Sequence, residues 1–281
     1  MNLSTAIAAP RTSIIPGFSL SLGVTLTYLG LIVLVPLSVL LVEAAGAGWD
    51  KIWVELSSAR TLAAFRVSFG IAFLAAAFNA VFGFVVAWAL VRYEFPGRRL
   101  IDTLVDLPFA LPTSVAGISL TQLYAQNGWL GVSLANAGIQ AAFTPVGIFI
   151  ALVFVGAPFV VRTLQPVLQD FDRESEEAGA LLGASRWSIL RRIVFPPLIP
   201  VIMTGFTLAF ARGLGEYGSV FFIAGNIPGF SEIAPLLIVI KLEQYDYAGA
   251  TILASLMLIA SFVLLLAINL LQAWTRRLQG G

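Results

Sequence analysis

Two stretches of this sequence combine residue types and spacings that suit particular chemistry. In the first, residues 170–196, the acids Glu174, Glu176 and Glu177 precede the small residues Ala178, Gly179 and Ala180, and Leu181, Leu182 and Gly183 follow. Asp172 can cap a helix that begins near Arg173, and the acids suit its positive N-terminal end. Gly183 stands where the C′ residue belongs, so a positive φ is expected there. Ser185 can cap a second short helix, and Pro196 marks the start of a long apolar segment. On the first helix Ala178, Leu181 and Leu182 share a face, and Glu177 offers a carboxylate for charge-assisted hydrogen bonds. A slim, partly apolar helix of this kind fits a groove in another protein. An ordinary amphipathic loop is the plainer reading of any single residue in it.

In the second stretch Arg212 and Glu216 stand one helical turn apart at the end of an apolar segment. They can pair and brace the helix, which is the plainer reading, or Arg212 can face a pathway while Glu216 orients it, since charges inside a membrane are functional suspects. Two further features are polar or conformational. Pro108 and Pro112, four residues apart, free backbone carbonyls and bend a helix. They are read either as a helix start or kink, or as a bend lining a pathway, because such a break is tolerated only against protein or a water-filled cavity. Asn79, among the small residues Gly70, Ala75, Ala76, Ala77 and Ala80, is read as an interhelical hydrogen bond on a packing face, with a part in transport as the other reading.

The elements that must position these residues are membrane helices. Charged residues make up 11% of the chain, against about 25% in a soluble domain. The charges cluster, leaving charge-free runs at 12–42, 67–91, 107–161, 193–211 and 248–275. A span needs about 20 apolar residues, and the run 107–161 accommodates two, so six spans are expected: 19–42, 67–91, 102–124, 145–168, 197–221 and 249–273. Residues 1–18 and 274–281 are then tails, 19–273 the membrane domain and 170–196 its main loop. Lysine and arginine orient the chain. The second loop carries Arg92, Arg98 and Arg99, and the fourth carries Arg162, Arg173, Arg186, Arg191 and Arg192, whereas the third carries none. The positive-inside rule places those two loops and both termini in the cytoplasm.

Composition also excludes. The net charge of +1 gives no electrostatic case for nucleic acid, and the chain has no cysteine and no histidine. Thiolate nucleophiles, disulfides, histidine-dependent triads and the commonest metal ligand are therefore missing, and no catalytic or metal site is assigned. A phosphate-cradling P-loop ends in Gly-Lys-Ser/Thr, but Lys51 follows Asp50 and Lys241 follows Ile240.

Glu177-Ala178-Gly179, three residues, Gly183, nine residues, Ile193, two residues and Pro196 resembles the EAA loop of ABC importer permeases. The family pattern has Ala where Gly179 stands and commonly Leu where Phe195 stands. Ala211–Gly218 and Ile223–Pro228 resemble the oxyanion branch. Lys241–Ala248, Leu270-Leu271-Gln272 and the first span from Ser19 look most like the sulfate/thiosulfate permeases of CysT type. The resemblance covers essentially the whole chain. It implies an all-α membrane protein with the type I ABC importer permease fold, in a bacterial-type inner membrane. It also implies a coupling loop, through Glu177, Ala178, Gly179, Leu182, Gly183 and Pro196, that docks on cytoplasmic ATP-binding subunits. The chain would bind no cofactor itself, ATP being used by that partner. The further partners implied are a second homologous permease chain, membrane lipid, an extracytoplasmic sulfate-binding protein, and sulfate or thiosulfate as cargo. Molybdate or tungstate is the alternative cargo, and a secondary transporter or membrane enzyme the alternative class. Few carboxylates in the spans, and no His, Cys or Ser-Lys dyad, speak against those classes.

Overall fold

Long apolar runs leave the backbone no partner in lipid except itself, so they fold as helices. The structure, a computed structural model, describes residues 17–279, with side chains for 17–273. Most of the expected N-terminal tail, residues 1–16, and the last two residues lie outside the described part. Thirteen helices are described: α1 Phe18–Gly46, α2 Trp49–Ser57, α3 Ala59–Arg92, α4 Arg98–Val105, α5 Leu107–Ala110, α6 Thr113–Tyr124, α7 Trp129–Asn136, α8 Pro145–Asp170, α9 Glu174–Leu181, α10 Arg186–Leu214, α11 Gly218–Ile223, α12 Ala234–Glu243 and α13 Tyr247–Gln279.

Among the described residues five helices, α1, α3, α8, α10 and α13, are long and apolar enough to cross a membrane. The expected third span, 102–124, is not one helix. It is divided into α4, α5 and α6, with breaks at Asp106 and at Leu111-Pro112. The second break has a local cause: a residue before proline is driven out of the helical region, and Leu111 is extended at φ −89°, ψ 135°. Pro108 sits in the first turn of α5, where a missing N–H costs nothing. Pro108 and Pro112 thus both stand at helix starts, in the first turn of α5 and at the N-cap of α6, which is the plainer of the two readings.

Other bounds differ from the hydropathy reading. The helix α3 has 34 residues, roughly 51 Å at 1.5 Å per residue, because the charged first turns around Arg60 and Arg66 continue it beyond the apolar run. Pro196 does not begin the fifth span. The helix is already running from Arg186, and it accommodates the proline by a wide turn of π type at Leu190–Val194. Widening the turn just upstream relieves the clash between the proline ring and the preceding carbonyl. The same helix stops at Leu214 rather than near 221, and α11 follows after a short break. The last helix continues to Gln279, through most of the expected C-terminal tail.

The core lies where α3, α8 and α10 meet. It is built from buried Ala72, Ala75, Ala76 and Ala87 on α3, Ile148, Ala151, Val160 and Leu164 on α8, and Leu198, Ala209 and Phe210 on α10. Without a hydrophobic drive between helices in lipid, close approach of small residues supplies the packing. A Cβ on Gly83 would lie 2.7 Å from Val160 Cγ1, and one on Gly156 would lie 2.6 Å from Asn79 Nδ2. Gly70, expected on this face, has open space around it. Asn79 is buried and donates from Nδ2 to the Val153 carbonyl at 3.1 Å, the interhelical bond its type suggested.

Candidate functional site: a short helix and the far end of the helix it leads into

The short helix α9 begins and ends as its residues dictate. Asp172 Oδ1 accepts from the Glu174 N–H at 2.9 Å. At the other end Gly183 has φ 80°. The Gly183 N–H donates to Ala180 O at 2.9 Å and the Ala184 N–H to Gly179 O at 3.1 Å, the paired bonds of a Schellman ending. Ser185 Oγ then accepts from the Ser188 N–H at 3.3 Å and starts α10. Both ends of the helix are therefore set by residues within the segment itself.

Its two sides differ. Gly179 is buried against Ile189 and Ile193 of α10, and a Cβ there would come within 2.7 Å of the Ile193 Cδ1 tip. The helix rests on the wide turn of α10 at that point. The opposite side is bare: Leu181 is 90% and Leu182 89% exposed, with Ala178 and Trp187 exposed beside them. A second tie runs to α3. Arg92, at its C-terminal end, pairs with Glu176 and packs over Trp88 and Phe171, with its guanidinium carbon 5.2 Å and 5.9 Å from the two ring centres. Glu177 is exposed and forms no ion pair among the described residues. It borders a cleft of 530 Å³ between α3, α9 and the start of α10, lined by Phe84, Trp88, Tyr93, Arg186 and Val194.

At the far end of α10 the arrangement is closed. Arg212 Nη1 pairs with Glu216 Oε2 at 2.5 Å, and Glu216 Oε1 accepts from both the backbone N–H and the hydroxyl of Ser219 at 2.9 Å. The Glu216 side chain is fully buried and Arg212 a third exposed. The pair braces the break between α10 and α11, and the carboxylate holds the first turn of α11. Helix α6 lies directly against that turn: a Cβ on Gly117 would be 2.5 Å from Ser219 O, and one on Gly218 would be 2.2 Å from Thr113 Oγ1. The residue after Pro112 is thus brought against the first turn of α11, which Glu216 holds. Pro108 follows Asp106, which belongs to a different cluster.

That cluster is one that spacing along the chain did not reveal. Arg162, inside α8, donates to Asp106 Oδ1 and Oδ2 at 2.7 Å and 2.6 Å and to Asp102 Oδ1 at 2.7 Å, and Gln165 Nε2 donates to Asp102 Oδ1 at 2.9 Å. It holds the broken segment to α8. A lone arginine inside an apolar helix was the available signal, but nothing in the sequence named its partners.

A third set of charges lies at the end of α3 opposite α9. Arg60 donates to both oxygens of buried Glu232. Lys241 pairs with Glu55 and with Asp246, and Lys51 pairs with Asp246 at 2.8 Å. The hydrogen bond from Lys51 and that from the Gly249 N–H hold Asp246 well below the usual carboxylate range. Burial opposes the charged form of Lys241, but its bonds to Glu55 and Asp246 outweigh that, and its pKa is raised.

Residues 79–278 match the family of binding-protein-dependent transport system inner membrane components. A probable sulfate transport system permease protein of Nephroselmis olivacea is 49% identical over 258 residues, covering 92% of this chain and 91% of that one. The sulfate transport system permease protein of Synechocystis sp. is 49% identical over 267 residues, 95% and 93% of the two chains. That of Escherichia coli K12 is 46% identical over 274 residues, 97% and 99%. Among solved structures, a chain of a bacterial ABC transporter involved in the import of the acidic polysaccharide alginate superposes with a TM-score of 0.75, over 92% of this chain and 94% of that one. At 16% identity the likeness is one of fold.

Proposed function

The chain belongs to the inner membrane components of binding-protein-dependent transport systems, and from that premise we propose that it is the permease subunit of an ATP-driven sulfate importer. It forms half of the translocation pathway and couples to a separate ATPase. The observation that carries the cargo is identity of 46–49% along nearly the full length of the sulfate permeases. Thiosulfate, close to sulfate in shape and charge, is the second cargo. Moving a dianion inward against a membrane potential of 100 mV costs roughly 4.6 kcal/mol, at about 2.3 kcal/mol per charge, so an energy source is required.

The geometry supports a route for that energy. The exposed face of α9, with Glu177, Ala178, Leu181 and Leu182, is the docking surface for a cytoplasmic ATP-binding subunit. Gly179 lets α9 seat directly on Ile189 and Ile193, so a displacement of α9 is delivered to the wide turn of α10. The Arg92–Glu176 tie delivers it to α3 as well. A packed helix transmits such a displacement to its far end, where the Arg212–Glu216 brace meets α6 and α11. The arginine-rich loops 92–99 and 170–196 support a cytoplasmic position for this surface and for both termini. A second, homologous permease chain completes the pathway, and an extracytoplasmic binding protein delivers the anion.

The test is uptake of radiolabelled sulfate in cells lacking the chain and in cells to which it is restored, with thiosulfate and molybdate as competitors. Restored uptake that thiosulfate suppresses and molybdate leaves intact is expected. Uptake suppressed by molybdate at lower concentration than by thiosulfate would overturn the cargo assignment.

A further inference from the structure

Helix α2 has no part in the reading above, and its place is set by its neighbours. Only Ala47 and Gly48 separate it from α1, and only Ser58 from α3. At about 3.5 Å per residue these links reach no more than about 7–10 Å. Because α1 and α3 both cross the membrane, α2 lies at the membrane boundary, at the end of α3 remote from α9.

The two sides of α2 are unlike. Lys51 and Glu55, one turn apart, are tied to Asp246 and Lys241, so this side is fastened to the turn between α12 and α13. Trp49 and Trp53, also one turn apart, project from the side about 180° away and are 72% and 61% exposed. Ile52 and Leu56, between the two sides, are half-buried. The spans continue the apolar surface at both ends of α2, with Val39, Leu41 and Val42 exposed near the end of α1 and Leu62 in the first turns of α3. A tryptophan ring has an apolar body and one N–H, and it partitions to the level of the headgroups, where both are satisfied.

We propose that α2 is a membrane-surface anchor, with Trp49 and Trp53 seated at the headgroup–acyl boundary of the leaflet remote from the coupling helix. Its occupant is lipid: short links on both sides hold the tryptophans at headgroup height, and the exposed apolar surface runs on into the lipid-facing sides of two spans. The lysine–carboxylate ties on the other side carry that height to the turn between α12 and α13. They keep this rim at a set level while α9 and α10 move at the other membrane face. The inference does not depend on which anion is carried.

The test uses the full chain in lipid nanodiscs, with Trp53 retained and the other five tryptophans changed to phenylalanine, and emission measured with two quenchers. Lipids brominated near the headgroup end of the acyl chain are expected to remove about half of the emission or more, while aqueous iodide quenches it several-fold less than it quenches N-acetyltryptophanamide. The corresponding Trp49-only chain gives the same reading if the first variant does not fold. Full quenching by iodide with no effect of the brominated lipid would overturn the proposal. So would an emission shift seen only on adding the extracytoplasmic binding protein, which would make the surface a protein dock.

Discussion

The two ends of α10 are built in opposite ways. At its start, around Arg186, apolar side chains stand in the open on α9, Glu177 has no ion-pair partner among the described residues, and a cleft opens between α3, α9 and the first turns of α10. At its finish both oxygens of Glu216 are occupied, by Arg212 and twice by Ser219, and the neighbouring helix approaches to backbone contact. A polar group buried in a membrane protein must be satisfied from within, so the closed end is complete in a single chain. Leucines left bare outside the spans signal a surface that another protein completes. One helix therefore joins an end whose apolar side chains stand open to an end whose polar groups are satisfied within the chain.

Breaking the closed end should have the largest effect. Changing Arg212 to Gln leaves a buried carboxylate without its counter-charge and should cost about 3 kcal/mol or more. Adding Glu216→Gln should recover part of the loss, because the stranded charge is removed. Thermal stability of the purified single and double variants checks this. A double variant no more stable than Arg212→Gln alone would mean that the pair does not act as a brace.

Breaking the open end should leave the fold intact and remove the partner. Glu177→Ala should remove a charge-assisted hydrogen bond to the docked ATPase, of about 1.5–3 kcal/mol, equivalent to roughly 10- to 100-fold in docking affinity. Gly183→Val places a β-branched residue at φ 80° and re-aims α9. Copurification of the ATPase at matched membrane abundance is the readout. Both variants should insert normally, shed the ATPase and lose sulfate uptake, and wild-type behaviour in both would remove the distinction between the two ends.

The charge cluster around Asp246 sharpens the comparison by pH. Its pKa lies below the ordinary value of 3.8 because the folded state favours the carboxylate. Such a group contributes stability that is fully present above the ordinary value and is lost as pH falls through the folded value. Partial exposure of Lys51 and Asp246 limits the contribution to about 1 kcal/mol. The melting temperature of Asp246→Asn should therefore fall below wild type at neutral pH, and the gap should close only below pH 3.8.

The smallest effect is expected at Gly179. Adding a methyl group there presses on the flexible tip of Ile193 and meets Ile189 at ordinary contact distance, and Ala favours a helix over Gly by about 1 kcal/mol. Gly179→Ala should keep the ATPase bound and leave uptake within about twofold of wild type. Loss of the ATPase would show that the seating of α9 on α10 tolerates no displacement.

Much of this was legible in the sequence because the signals are local. Charge-free runs announced the membrane helices. Asp172, Gly183 and Ser185 end and start α9 and α10 through neighbours within five residues, and Arg212 and Glu216 meet because four residues make a turn. The broken third segment was partly legible: prolines marked it, but hydropathy counts apolar residues without asking whether one helix holds them. The same averaging hid the wide turn that lets α10 run through Pro196.

The sequence by itself determined the class of the molecule, the approximate places of the five long apolar helices, and the caps of the short helix α9, since hydropathy, capping and helical spacing act over a few residues. Only the tertiary structure decided which distant charges meet. Arg162 finds Asp106 across 56 residues, Arg92 finds Glu176 across 84, and Lys241 finds Glu55 across 186. Nothing local distinguishes one carboxylate from another as a partner. The choice is made by the packing of α3, α8 and α10, which sets the helix ends that face one another and thus the charges left close enough to pair.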